Sequence, residues 1–200
     1  LAPPADCGPQ ARIVDKSKSA TWGAANFTGR YYSEVESDPK NVFCAGCLDF
    51  LFQVENTSTT QDITSLTAAN FTGYQTDVGY DIKSIGDLYL CGIDDGGFCN
   101  TGDPSAVPVS VFRSSDGSLV GFNFSGLPFN QATVDLVIET NALSYTDPPI
   151  TVYGSNGDSG VINAFGPAGS PFNPAPEPAT LALLGLAFAG MGLARRRKLD

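Results

Sequence analysis

From Thr21 onward, apolar and aromatic residues fall in short runs broken by Gly, Asn, Asp and Pro every ~8–12 residues, the pattern of an antiparallel β-sandwich. The clearest run spans residues 48–55. There Leu48, Phe50, Phe52 and Val54 alternate with Asp49, Leu51, Gln53 and Glu55, which gives a strand with two distinct faces. A polar turn at residues 56–60 leads into a returning strand at 62–69. Further strands are expected at 87–91, 107–113, 119–124, 133–140 and 150–153, and residues 12–14 suit a short first one. Asp116-Gly117 reads as a hairpin turn between two of these runs. No sustained helical period precedes residue 179. The motif Ala24-Ala25-Asn26-Phe27-Thr28-Gly29 recurs at 68–73 and is echoed at Asn123-Phe124-Ser125-Gly126. The unequal spacings and unaligned flanks make it a strand-end motif rather than a solenoid repeat.

The pattern changes at the C-terminal end. Residues 166–178 turn to Gly, Pro, Ala, Ser and Asn and end in Pro176-Glu177-Pro178, an extended hydrated spacer. Residues 179–194 hold no charge, and Arg195, Arg196, Arg197 and Lys198 follow at once. As a helix the uncharged run rises ~24 Å at ~1.5 Å per residue. That is short against a ~30 Å hydrocarbon core, but sufficient if the cations snorkel to the interface. Pro178 suits the helix's first turn, and the positive-inside rule keeps the cationic end cytoplasmic.

These parts in this order resemble the PEP-CTERM sorting signal of exported proteins from Gram-negative bacteria that make extracellular polysaccharide. The resemblance implies an exosortase partner that recognises Pro176-Glu177-Pro178 and cuts near it. It also implies transient residence in the inner membrane, then a place at the cell surface or outside the cell, with extracellular polysaccharide as a partner there. Blocks of the body, at residues 50–58, 121–124 and 135–146, look like those of other PEP-CTERM exported proteins of unassigned function, which implies a sandwich domain with no activity attached. The whole chain therefore reads as an all-β protein: a lead-in at 1–20, one antiparallel sandwich (Ig-like or jelly-roll-like) at 21–165, a Pro-rich linker at 166–178, a transmembrane helix at 179–194 and a basic cytoplasmic tail at 195–200. A first residue of Leu1 fits a signal peptide already removed.

Charge and composition narrow the function. The chain carries a formal net charge of −10, and without the four tail cations and Asp200 the rest holds 7 basic against 20 acidic residues. Such acidity opposes nucleic acid, which needs cations to displace its counterions. There is no histidine. That excludes histidine triads, histidine metal sites and imidazole acid–base catalysis. Gly157-Asp158-Ser159-Gly160 mimics a serine-protease nucleophile loop, but without imidazole it is turn chemistry. Acid pairs such as Asp77 with Asp81, or Asp94 with Asp95, suit a carboxylate hydrolase only inside a cleft. The expectation is no enzyme and no resident cofactor. Ca²⁺ suits Asp94 and Asp95 in the Gly-rich loop between Cys91 and Cys99, whereas a zinc site from Cys44, Cys47, Cys91 and Cys99 fits the spacing but not an exported chain.

Five cysteines in an exported chain point to disulfides. Cys91 is expected to pair with Cys99, and either Cys44 or Cys47 with Cys7, leaving one over. Four sequons, at Asn26, Asn56, Asn70 and Asn123, are explained more simply by turns than by glycans. Trp22, Tyr31 and Tyr32 suit either core packing or sugar stacking. A carbohydrate- or Ca²⁺-binding adhesion module is the alternative to a structural surface protein.

Overall fold

The structure is a computed structural model of the 200-residue chain and describes residues 13–24, 26–81 and 106–168. These form two five-stranded antiparallel sheets and a small two-stranded one, with no helix among the described residues. The first sheet runs β1-β2-β3-β8-β5, comprising Ile13–Ala24, Phe27–Asp38, Cys47–Asn56, Asp135–Thr140 and Thr76–Asp81. The second runs β11-β10-β4-β7-β6, comprising Ser159–Asn163, Pro149–Gly154, Ile63–Ala69, Leu119–Leu127 and Ser110–Arg113. β9 (Tyr145–Thr146) pairs with β12 (Gly166–Pro167).

One hydrophobic cluster joins the two sheets. Phe50, Phe52 and Val54 of β3 and Leu136 and Ile138 of β8 share it with Leu66 of β4, Phe122 of β7 and Val152 of β10. The alternation read at residues 48–55 is therefore the core face of β3. Its other face is also buried, including Asp49 and Glu55, so the whole strand lies inside the protein. The recurrent Asn-Phe motif gains a physical meaning here, because Phe27, Phe71 and Phe124 are all core residues.

β1 starts at Ile13, well before the strand-like pattern at Thr21, so the expected lead-in is shorter than residues 1–20. Its sequence, IVDKSKSATWGA, is polar because it forms the edge of the first sheet. Lys and Ser on an edge discourage a further strand from pairing, and they also hide the strand from a search for hydrophobic period. Trp22 from β1 packs where a Cβ on Gly29 of β2 or on Gly160 of β11 would collide with its ring, so two glycines admit one indole. At the other end, the expected linker begins later than Gly166. Gly166 and Pro167 are buried and paired with Thr146 and Tyr145, and the Ala168 carbonyl accepts from the Tyr74 and Ser144 hydroxyls. The strand expected at 87–91, the rest of the linker and the run at 179–194 lie outside the described residues.

The Asp116-Gly117 hairpin between β6 and β7 forms as read. Gly117 has φ 70° and its amide donates to the Ser114 carbonyl at 2.9 Å. Asp116 accepts from the Ser114 hydroxyl at 2.6 Å, the Ser118 amide at 3.1 Å and the Ser118 hydroxyl at 2.8 Å. These donors, Ser114 first, hold its carboxyl at about 2, below the ordinary 3.8. The turn thus keeps its full set of bonds above the usual carboxylate range and loses them as pH falls through about 2.

Candidate functional sites

Three regions outside the core carry chemistry. The first is the face of the β1-β2-β3-β8-β5 sheet that points away from the core. Register aligns Glu36, Asp49, Glu139 and Asp77 in one row across four strands. Asp38, at the end of β2, brings a third buried acid to Asp49 and Glu139, and carboxylate oxygens of these three lie within 4.8 Å of one another. The Asn41 amide donates to Asp49 at 2.7 Å and to the Thr140 carbonyl at 3.1 Å. All three acids have further partners in the fold. Hard oxygen donors are the type Ca²⁺ takes, about 6–8 at a time; here each of the three acids turns one carboxylate oxygen toward the others, and Asp49 already accepts from Asn41. Elsewhere on the same face, Glu55 pairs with Arg30 and Glu34 accepts from the Tyr32 hydroxyl at 2.6 Å.

A disulfide lies beside this cluster. Cys44 and Cys47 are bonded to each other, with Cα atoms 5.3 Å apart. The expectation had one of them reaching Cys7. A tight turn makes the shorter link instead: Gly46 takes φ 79°, the Cys47 amide donates to the Cys44 carbonyl, and the Gly46 amide donates to the Asp38 carbonyl. Cys7, Cys91 and Cys99 lie outside the described residues, as do Asp94 and Asp95.

The second region is a cleft of about 420 Å³ at one end of the two-sheet domain, lined by Ser58, Thr59, Thr60, Gln61, Asp62, Pro128, Phe129 and Ser155. Its wall is preformed. The Asn26 carbonyl accepts from the Ser58 and Thr60 hydroxyls and the Gln61 amide, and Asp158 accepts from Gln61 at 2.7 Å. Asn56, fully buried beneath, donates to the Gln61 and Leu127 carbonyls and accepts from the Ser58 amide. Its sequon is therefore loop architecture. Asp158, in the protease-like Gly157-Asp158-Ser159-Gly160 segment, is a hydrogen-bond partner within the β10–β11 hairpin. Phe129, 54 % exposed, also lines the cleft and adds an aromatic ring to an otherwise hydroxyl-rich lining.

The third region is the outer face of the β11-β10-β4-β7-β6 sheet. One register row across it reads Val161, Thr151, Thr67, Gly121, Phe112. The next reads Ser159, Tyr153, Ser65, Asn123, Ser110. Neither row carries a charge. Phe112 and Tyr153 are each 40 % exposed, whereas Trp22, Tyr31 and Tyr32 are buried in the fold. The Tyr31 hydroxyl donates to the Asn163 carbonyl at 2.5 Å, and burial, with Asp147 nearby, raises its pKa. The aromatics singled out from sequence are thus structural. Those available to a ligand were missed, because residue type gives no side of a sheet and only strand register does.

Beyond the two-sheet domain, the C-terminal sequence matches a known motif. Residues 174–198 match the family model of the PEP-CTERM protein-sorting motif. The chain carries a PEP-CTERM sorting motif. The match includes Pro176, Glu177 and Pro178 together with Arg195, Arg196 and Arg197, the residues expected from the sequence, although their structure lies outside the described residues. No curated protein and no solved structure matches the chain. PEP-CTERM motifs are recognised by exosortases in general, so the motif supports export followed by membrane anchoring and processing. It says nothing of what the body binds.

Proposed function

We propose that the chain is an exported, non-enzymatic component of the cell surface or extracellular matrix, with a β-sandwich body of Ig-like or jelly-roll-like kind that an exosortase frees from the inner membrane. The single observation that carries this reading is the sorting motif at 174–198. The Pro-rich stretch before it would keep the cut site accessible. Composition supports a body without catalysis, since no histidine exists to activate a nucleophile. Asp77, one of the acids weighed for hydrolysis, accepts from the Val78 amide beside it on the sheet-edge strand β5. No cofactor is needed for such a role.

Replacing Pro176, Glu177 and Pro178 together by alanine in the native host tests the sorting step. The processed form should disappear, and full-length chain should accumulate in the inner-membrane fraction on an immunoblot. Unchanged release would sink the exosortase reading. A second reading, a carbohydrate- or Ca²⁺-binding adhesion module, is favoured by the preformed cleft with Phe129 on its wall. Both readings share the exported setting and differ in whether the body recognises a ligand.

A further inference from the structure

The geometry points to the outer face of the β11-β10-β4-β7-β6 sheet as a binding platform for a neutral polysaccharide chain, with Phe112 and Tyr153 as its stacking residues. The inference deepens the adhesion-module reading by naming a ligand class and a place, and it does not depend on how the tail is processed.

Charge comes first. In a chain of net charge −10, two adjacent register rows of this face carry no charge. An acidic polymer gains nothing from an uncharged face on an acidic protein, and a basic partner would find its complement elsewhere. The ligand that fits is uncharged.

Side-chain chemistry comes next. The rows mix hydroxyl and amide groups with exposed aromatic rings. A pyranose presents an apolar C–H face and a rim of hydroxyls, so it needs an aromatic surface beneath and donors and acceptors at its edge. Ser, Thr and Asn supply both donors and acceptors. Asn123 already bonds the Ser110 hydroxyl at 3.0 Å, fixing the amide beside Phe112.

Shape comes last. Gly121 has no side chain, and the Phe112 ring occupies the space a Cβ there would fill, so the ring lies across the neighbouring strand β7. Three strand spacings separate β6 from β10, which puts Phe112 and Tyr153 on the order of 10–14 Å apart once that lean is counted. A short run of sugar rings covers that distance. Two separated platforms on one sheet face suit an extended chain rather than a single sugar.

Affinity electrophoresis on the full chain, held in a sugar-free polyoxyethylene detergent, tests the platform. The probes are a soluble (1→4)-β-glucan, a (1→3)-β-glucan and a galactomannan, with alginate as the acidic comparison. At least one neutral polymer should retard the chain and alginate should not. Tyr153→Ala and Phe112→Ala should each weaken the retardation by about tenfold or more, while Leu143→Ala, an exposed apolar residue off this face, leaves it unchanged. Thermal melts of the variants should stay within about 3 °C of the parent, which separates lost binding from lost folding. Retardation by no neutral polymer overturns the proposal. So does retardation that survives both aromatic truncations. If Phe129→Ala alone abolishes it, the sugar sits in the end cleft and the adhesion reading stands without this face. If the chain instead dimerises through Tyr153 with no glycan bound, the face is a contact between copies.

Discussion

Phe50→Ala is expected to lower the free energy of unfolding by about 3–5 kcal/mol. Phe50 is fully buried on β3, between β2 and β8. Its ring meets Phe71 edge to face, with centroids 6.2 Å apart. Phe71 follows β4, so the contact ties the first sheet to the end of a strand in the second. Truncation loses the transfer energy of the ring and leaves a hole that strands held by ladders on both sides cannot close. Against a total stability of ~5–15 kcal/mol, that is a large fraction. Urea unfolding followed by near-UV circular dichroism would read it, with Leu143→Ala within about 0.5 kcal/mol of the parent as the control. A loss below ~1 kcal/mol would mean that the two sheets do not share this core.

Asn56→Ala carries the second large effect, about 2–4 kcal/mol, for a different reason. This side chain is fully buried and makes three bonds to backbone groups: its amide donates to Gln61 and Leu127 at 2.9 and 2.8 Å, and its carbonyl accepts from Ser58 at 2.8 Å. Alanine removes all three at once, and each buried polar group left behind costs ~1–3 kcal/mol, partly relieved by water. Asn56→Asp keeps the shape but turns the donor into a carboxylate oxygen facing two carbonyls, so at neutral pH it should cost at least as much. Equilibrium unfolding of both variants decides the matter. An aspartate tolerated at parent stability would show that shape, rather than the paired donors, holds this loop.

How much was legible in the sequence depended on where each residue's burial came from. β3 and β8 stood out because one face of each alternates in large apolar residues. The Asp116-Gly117 hairpin was legible because its turn chemistry is local. The first sheet's far face was not, since Glu34, Glu36, Asp38 and Asp49 are buried there and hydropathy marks such residues as surface. β1 hid for the converse reason, as an edge strand written in Lys and Ser. The cysteines showed the limit of spacing arguments. Cys44-Ala45-Gly46-Cys47 allowed several pairings, and the left-handed backbone at Gly46 selected the shortest. The aromatics were not legible: residue type makes Trp22 and Tyr31 candidates for sugar stacking, but both are buried, whereas strand register turns Phe112 and Tyr153 outward. The sorting motif needed no fold at all, being linear, and so it was legible in full.

The intact mass of the protein released outside its native cells, measured before and after reduction, tests exosortase processing at the sorting motif. A C-terminus near Pro176-Glu177-Pro178, without Arg195 to Asp200, is expected, with a mass gain on reduction that includes the Cys44–Cys47 bond. A mature chain that still carries Arg195 to Asp200 would overturn the exosortase reading. The tail would then be a permanent anchor, and the protein a membrane-tethered one rather than a released component of the matrix.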